Sequence, residues 1–368
     1  MKRFLCFLCC IAACWILCPA VYAEAGETEN AITALTDSLP PQTQQILGDI
    51  DFSAGDGFDQ GIAAIVKAGQ QEVQHLLRQM LGSGAMLLLI VLLCDGAKLL
   101  YVQEKSSRLL QCTTLTGALA IVMLAAGDIS NMMGLGVETM QTMNDFSKTL
   151  LPLLGAACAA SGNISSAAVR EVVTVFFADL LITCINQFLV PLVYIYMGAI
   201  TANAVLHQHS LGSIAKGIKK LIVWVLTILL TVFTAYLTVS GVIAGTADAA
   251  ALKVAKFAIS GAVPVVGGIL SNAASTILVG ASILKNAIGI FGMLAVFALC
   301  ITPFLQIGMQ YLVYKITAFL AEIVDQSGLS DLMNEIGGAF GMILGMTGAC
   351  ALLLIISLVA SISAVMPV

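Results

Sequence analysis

Residues 286–324 read Asn286-Ala-Ile-Gly-Ile-Phe-Gly-Met-Leu-Ala-Val-Phe-Ala-Leu-Cys300-Ile-Thr-Pro303-Phe-Leu-Gln-Ile-Gly-Met-Gln310-Tyr-Leu-Val-Tyr-Lys315-Ile-Thr-Ala-Phe-Leu-Ala-Glu322-Ile-Val. Lys315 and Glu322 are the only ionic side chains in that run, which as one helix extends roughly 58 Å against about 30 Å of bilayer hydrocarbon. Pro303 lacks a backbone donor and is the natural place to divide it into segments 286–302 and 303–324. The same reading divides 172–206, about 52 Å as one helix, at Pro191. Both runs carry tyrosines after their proline (Tyr194 and Tyr196; Tyr311 and Tyr314), a likeness that hydrophobic sequences reach easily by chance.

Working outward, apolar runs of spanning length recur at 84–102, 112–128, 150–168, 221–245 and 339–362. Of the 368 residues, 59% are apolar and only 10% charged, and the mean hydropathy is +1.00. A chain so short of charge cannot cover itself with a soluble surface. With 33 glycines and 7% aromatic residues, it suits close-packed transmembrane helices better than alternating barrel strands. The expected fold is an all-α polytopic membrane protein with about eight or nine transmembrane segments, helices broken by Pro and Gly, and a short extracytoplasmic helical segment at its N-terminus. The lipid bilayer is its solvent, and nucleic-acid binding is not expected.

The net charge of −5 is unevenly placed. Lys2 and Arg3 give residues 1–23 a charge of +2, nine acids against Lys67 and Arg78 give 24–80 a charge of −7, and the remainder balances. Lys2-Arg3, the apolar stretch Phe4 to Leu17 and the small residues of Pro19-Ala-Val-Tyr-Ala23 form a signal peptide, with cleavage expected after Ala23; an uncleaved first helix is the competing reading. The chain thus divides into a signal peptide (1–23), an acidic extracytoplasmic segment (24–83) and a multi-span domain (84–368). Five cysteines fall in the first segment; the other six are scattered singly through apolar runs and read as small buried residues. Placing 24–83 outside puts Lys105 and Arg108 in the cytoplasm, and counting onward puts Arg170 and Lys216, Lys219 and Lys220 there too, with a loop from Asp128 to Asp145 outside.

Residues 257–286 are the most unusual stretch. Pro264 removes a donor, Gly267-Gly268 permits a turn or close approach, and Ser271, Asn272, Ser275 and Thr276 can satisfy freed backbone groups. Either a re-entrant or discontinuous element lining a cavity, or an ordinary kinked span, fits this composition. The pattern Lys256-Phe257, Val263-Pro-Val-Val-Gly267, Ser271-Asn-Ala273, Thr276, Leu284-Lys-Asn286 and Gly289, behind a signal peptide and an acidic segment, resembles the stage III sporulation protein AE family; Asn272 stands where that family usually has aspartate. The resemblance implies a membrane subunit of the channel that joins mother cell and forespore, in the mother-cell membrane around the forespore, with the N-terminal segment in the intermembrane space. It also implies support of late forespore gene expression. The partners implied are the other membrane proteins of the stage III operon, an ATPase subunit among them, and a forespore-side protein across the intermembrane space; homo-oligomers are compatible with it.

The chain has no G-x-x-x-x-G-K-[ST] phosphate loop, no H-E-x-x-H and no G-x-S-x-G, so neither an enzymatic activity nor a cofactor or metal is expected. An autonomous small-solute permease is the alternative function, suggested by the proline-broken runs. An intramembrane hydrolase using Ser240 or Ser260 is weaker still, because no span contains a histidine to activate either hydroxyl. Ionic groups in the spans are the remaining functional candidates, since burying one costs at least about 2.5–3.5 kcal/mol. Asp95 and Lys98 lie three apart and can pair. Asp179, near Asn186, has no basic partner on its own helix. Lys315 and Glu322 are seven apart and can face one polar cavity. With Pro264, Gly267, Gly268 and Asn272, these are the candidate pore-lining or subunit-contact residues. Lys285 sits at a span boundary, where snorkelling to the interface is expected.

Overall fold

The computed structural model describes residues 32–47, 57–101, 107–160, 164–206, 209–262, 267–324 and 328–363, so the signal peptide expected at 1–23 lies outside the described residues. Every regular element among them is helical. Helix α1 is Pro41–Leu47, α2 is Gly57–Tyr101, α3 is Ser107–Ala160 and α4 is Ile164–Cys184. A π-turn at Ile185–Leu189 leads into α5, Val190–Leu206; α6 is His209–Ala262, α7 Gly267–Glu322 and α8 Leu329–Ser363. Six stretches among the described residues are long and apolar enough to cross a membrane: Gly57–Ala97, Cys112–Ala160, Val172–Val205, Leu211–Val239, Ile283–Glu322 and Leu329–Ile362. The chain is a helical membrane protein.

Nine apolar segments become six because three pairs fuse. Segments 286–302 and 303–324 are one helix that passes through Pro303. Segment 112–128 and residues 150–160 of segment 150–168 belong to α3, which runs unbroken through Pro152 to Ala160, so residues 128–145 form no loop. Segments 172–190 and 191–206 are joined by the π-turn. There the Val190 N–H bonds back to Ile185 O, and the looser winding accommodates Pro191 without a break. Proline is tolerated in such helices because neighbouring side chains and local π geometry satisfy the groups it frees. Residues 57–80 and the first apolar run are likewise one helix, α2, which passes through residue 83.

Close contacts fix the helix directions. Gly61 lies against Leu294 and Gly84 against Val313 and Thr317, so α2 and α7 run parallel. Asp128 meets Gln310 and Gly292 meets Leu150, so α3 runs antiparallel to α7. At the two ends of α8, Asn334 meets Lys315 and Ile362 meets Lys285, so α8 is antiparallel to α7 as well. The two helices join through Gly328, whose φ of 76° is the left-handed conformation that glycine adopts without strain. Their apolar windows are each 61% buried, against no more than 33% in the other four, so α7 and α8 form the core and the rest surround them.

This arrangement also moves Arg170. Because α3 is one helix, the start of α4 lies at the opposite end of the bundle from Ser107, whereas Lys216, Lys219 and Lys220 follow α5 back to the Ser107 end. Arg170 therefore does not share a side with those lysines. Leu35, Leu39 and Leu47 are 4% exposed or less, and α1, started by a backbone turn at Pro40, rests on α2 and α7.

Candidate functional site: a polar seam along α7

Helix α7 carries Thr302, Gln306, Gln310 and Tyr314 at intervals of four, which places them on one face. That face meets acids from two other helices. Gln306 Nε2 donates to Glu72 Oε1 of α2 at 3.0 Å. Midway along α3, Asp128 accepts on one oxygen, Oδ2, from Gln310 Nε2 at 2.6 Å and from the Tyr314 hydroxyl at 3.1 Å. Gln310 and Tyr314 are 4% and 0% exposed, and the Tyr314 ring packs on Phe340 of α8 with centroids 5.0 Å apart. A cavity of about 570 Å³ opens at the Gln306 end, lined by Thr43, Glu72, Glu138, Thr139, Thr302 and Pro303 among others. Pro303 leaves the Leu299 carbonyl without its intrahelical donor, and Leu299 lines the same cavity.

A second polar group begins one residue beyond Tyr314. Lys315 Nζ donates to Asn334 Oδ1 at 2.6 Å and to Asn334 O at 3.0 Å, and lies 5.9 Å from the Tyr311 ring centroid. Next to Asn334, Glu335 holds the buried Tyr196 hydroxyl, which sits 2.7 Å from Oε2 and 2.8 Å from the Glu335 carbonyl oxygen. Lys219 approaches the same Oε2 at 3.9 Å. A cavity of about 580 Å³ adjoins this group, with Asn203, Ser213, Lys216, Asp331 and Glu335 in its wall. Acceptors and donors thus follow one another from Glu72 through Asp128 to Glu335, roughly 13 Å of α7 separating Gln306 from Lys315.

The residues singled out from sequence are distributed around this seam. Lys315 lies at the Glu335 end of the seam and bonds Asn334, while Glu322, the last residue of α7, is exposed. Asp179 finds its partners on α3: Asn144 Nδ2 donates to Oδ1 at 2.9 Å, and Lys148 Nζ is 3.6 Å away and equally close to Asp145. Asn186 is half-buried in the π-turn. Asp95 is buried at 6% exposure in α2; the side chain of Lys98 lies outside the described residues. Pro264 is outside them too, as are the surroundings of Gly267 and Gly268 and the side chain of Asn272, although Ala262 ends one helix and Gly267 starts the next. Lys285 does not snorkel. It is 1% exposed and donates to Ile362 O at 2.8 Å near the end of α8.

The Asp179–Lys148 pair is about half exposed on both sides, so screening keeps its worth small. Lys148→Ala is expected to lower stability by less than about 1 kcal/mol in a thermal-unfolding comparison.

Of the hydrogen-bonded side chains in the seam, Glu72, Asp128, Tyr196, Gln306, Gln310, Tyr314, Asn334 and Glu335 are not among the candidates that the sequence suggests. Asp128 reads as part of a loop and Glu72 as part of a solvated segment. The signal that points to the partners of Glu72 and Asp128 is the four-residue repeat of Thr302, Gln306, Gln310 and Tyr314 within an apolar run.

The family profile described as stage III sporulation protein AE matches residues 55–365, which includes the whole seam. The chain is 24% identical over 308 residues to the stage III sporulation protein AE of Bacillus subtilis (strain 168), covering 81% of this chain and 74% of that protein. No solved structure matches it. With a profile match that spans every long helix, the chain belongs to the stage III sporulation protein AE family.

Proposed function

We propose that this protein is a membrane subunit of the channel linking mother cell and forespore, and that the Glu72–Asp128–Glu335 seam is the polar interior it contributes. It sits in the mother-cell membrane around the forespore, with the N-terminal segment toward the intermembrane space and the Lys216–Lys220 end in the cytoplasm. Any ATP hydrolysis belongs to a partner subunit, since the chain carries no phosphate loop; the other operon membrane proteins and a forespore-side protein complete the assembly.

The observation that carries this reading is Asp128. A carboxylate placed between two buried donors in the middle of a membrane bundle is costly to keep unless it serves a passage or a contact. An autonomous permease rests on breaks at Pro191, Pro264 and Pro303 and on Asp179; the helices run on through Pro191 and Pro303, which weakens that reading, while Pro264 lies outside the described residues. Deleting the gene should leave engulfment complete while late forespore reporters stay silent. Normal spore yields from the deletion strain would refute the proposal.

A further inference from the structure

At its basic end α6 carries Lys216, Lys220, Trp224 and Ile228 at intervals of four, one stripe along the helix, with Lys219 and Val223 beside it. The stripe is open: Trp224 is 63% exposed, Val223 54% and Leu221 44%. A hollow of about 1010 Å³ lies along it, walled by the three lysines, Trp224, Thr227 and Glu335. From Lys216 the indole lies about 12 Å along the helix axis and Thr227 about 16 Å, with aliphatic side chains between and beyond. Cationic heads, then an indole, then bare aliphatic surface is the order in which a phospholipid presents phosphate, glycerol and acyl chain.

The charges do not cancel within the protein. Among the described residues, Glu335 is the one acid in the wall of the hollow, and its Oε2 already accepts the Tyr196 hydroxyl and faces Lys219. Lys216 and Lys220 make no ion pair among those residues, and the other nearby acid, Asp331, lines the adjoining cavity that Lys216 shares. Three lysines against one carboxylate leave the hollow with a net charge of about +2, each cation contributing about 1 kcal/mol toward an anionic headgroup at a membrane surface.

We propose that this face of α6 seats one anionic phospholipid, its phosphate between Lys216, Lys219 and Lys220 and its upper acyl chain against Trp224 and Thr227. The lipid site is a further role beside the channel: it lies on the outer wall of the bundle and meets the seam at Glu335, which Lys219 approaches.

Trp224 reports on it directly, because the only other tryptophan is Trp15. The full chain carrying Trp15→Phe is placed in phosphatidylcholine–phosphatidylglycerol vesicles in which either lipid, at the same mole fraction, carries brominated chains that quench indole fluorescence. Brominated phosphatidylglycerol is expected to quench more strongly than brominated phosphatidylcholine. Lys216→Gln/Lys220→Gln, which spares the Lys219–Glu335 contact, should abolish the difference while melting as the parent does. Inorganic phosphate, matched in ionic strength by chloride, should leave the preference intact.

Equal quenching by the two lipids means ordinary boundary lipid and overturns the proposal. Loss of the preference in phosphate points to a soluble anion and overturns it too. Absence of quenching by either lipid means that a protein surface or a second copy covers the face, and likewise overturns it.

Discussion

Asp128→Leu is expected to destabilise the bundle by about 2–4 kcal/mol, because it strips the acceptor from two buried donors at once. Gln310 and the Tyr314 hydroxyl both end on Asp128 Oδ2, and neither side chain reaches solvent. A buried donor without a partner costs about 1–3 kcal/mol, although single hydrogen bonds between membrane helices average nearer 0.6 kcal/mol because alternative partners are found. Tyr314 is held in place by Phe340 and has little freedom to find one. Asp128→Asn keeps an acceptor oxygen and should cost about 1 kcal/mol; Tyr314→Phe removes one donor together with its need and should cost least. Thermal unfolding of the detergent-solubilised protein distinguishes the three, and equal midpoints for the leucine variant and the parent would mean that Asp128 does not hold α3 to α7.

Gly292→Leu should be at least as damaging, at about 3 kcal/mol. A Cβ at that position already falls 2.7 Å and 3.0 Å from the two methyl carbons of Leu150, and Leu150 is 2% exposed with nowhere to turn. The rest of the new side chain can fit only by pushing α3 away from α7, which would also stretch the Asp128–Gln310 bond further along the same pair of helices. Gly308→Ala is the contrasting case on α7. Nothing lies within 4 Å of the added methyl, and alanine favours the helix by up to about 1 kcal/mol, so stability should hold or rise. A leucine variant that melts with the parent would mean that the two helices are not pressed together at Gly292.

Composition is enough to establish the class of the protein, because a charged fraction of 10% leaves no other way to solvate the chain. Helix ends are harder to read. Proline at 303 and 191 signals a break in water, yet inside this bundle α7 continues past one and a π-turn accommodates the other. Acids mislead for a related reason. Asp128 and Glu72 look like solvated residues when each helix is considered alone, and only the packing of α2 and α3 against α7 shows that glutamine and tyrosine amid an apolar run are their partners. Lys285 shows the same limit: its acceptor is 77 residues away on α8, a relation no local pattern encodes.

If the seam serves the channel as well as the fold, Asp128→Asn separates the two roles, because it retains the shape and one acceptor while removing the charge. Late forespore reporter activity should be measured in a strain whose only copy is Asp128→Asn, with membrane levels of the protein equal to those of the parent by immunoblot. A fall to the level of the deletion strain is expected; parental reporter activity at parental protein levels would contradict a channel role for the seam.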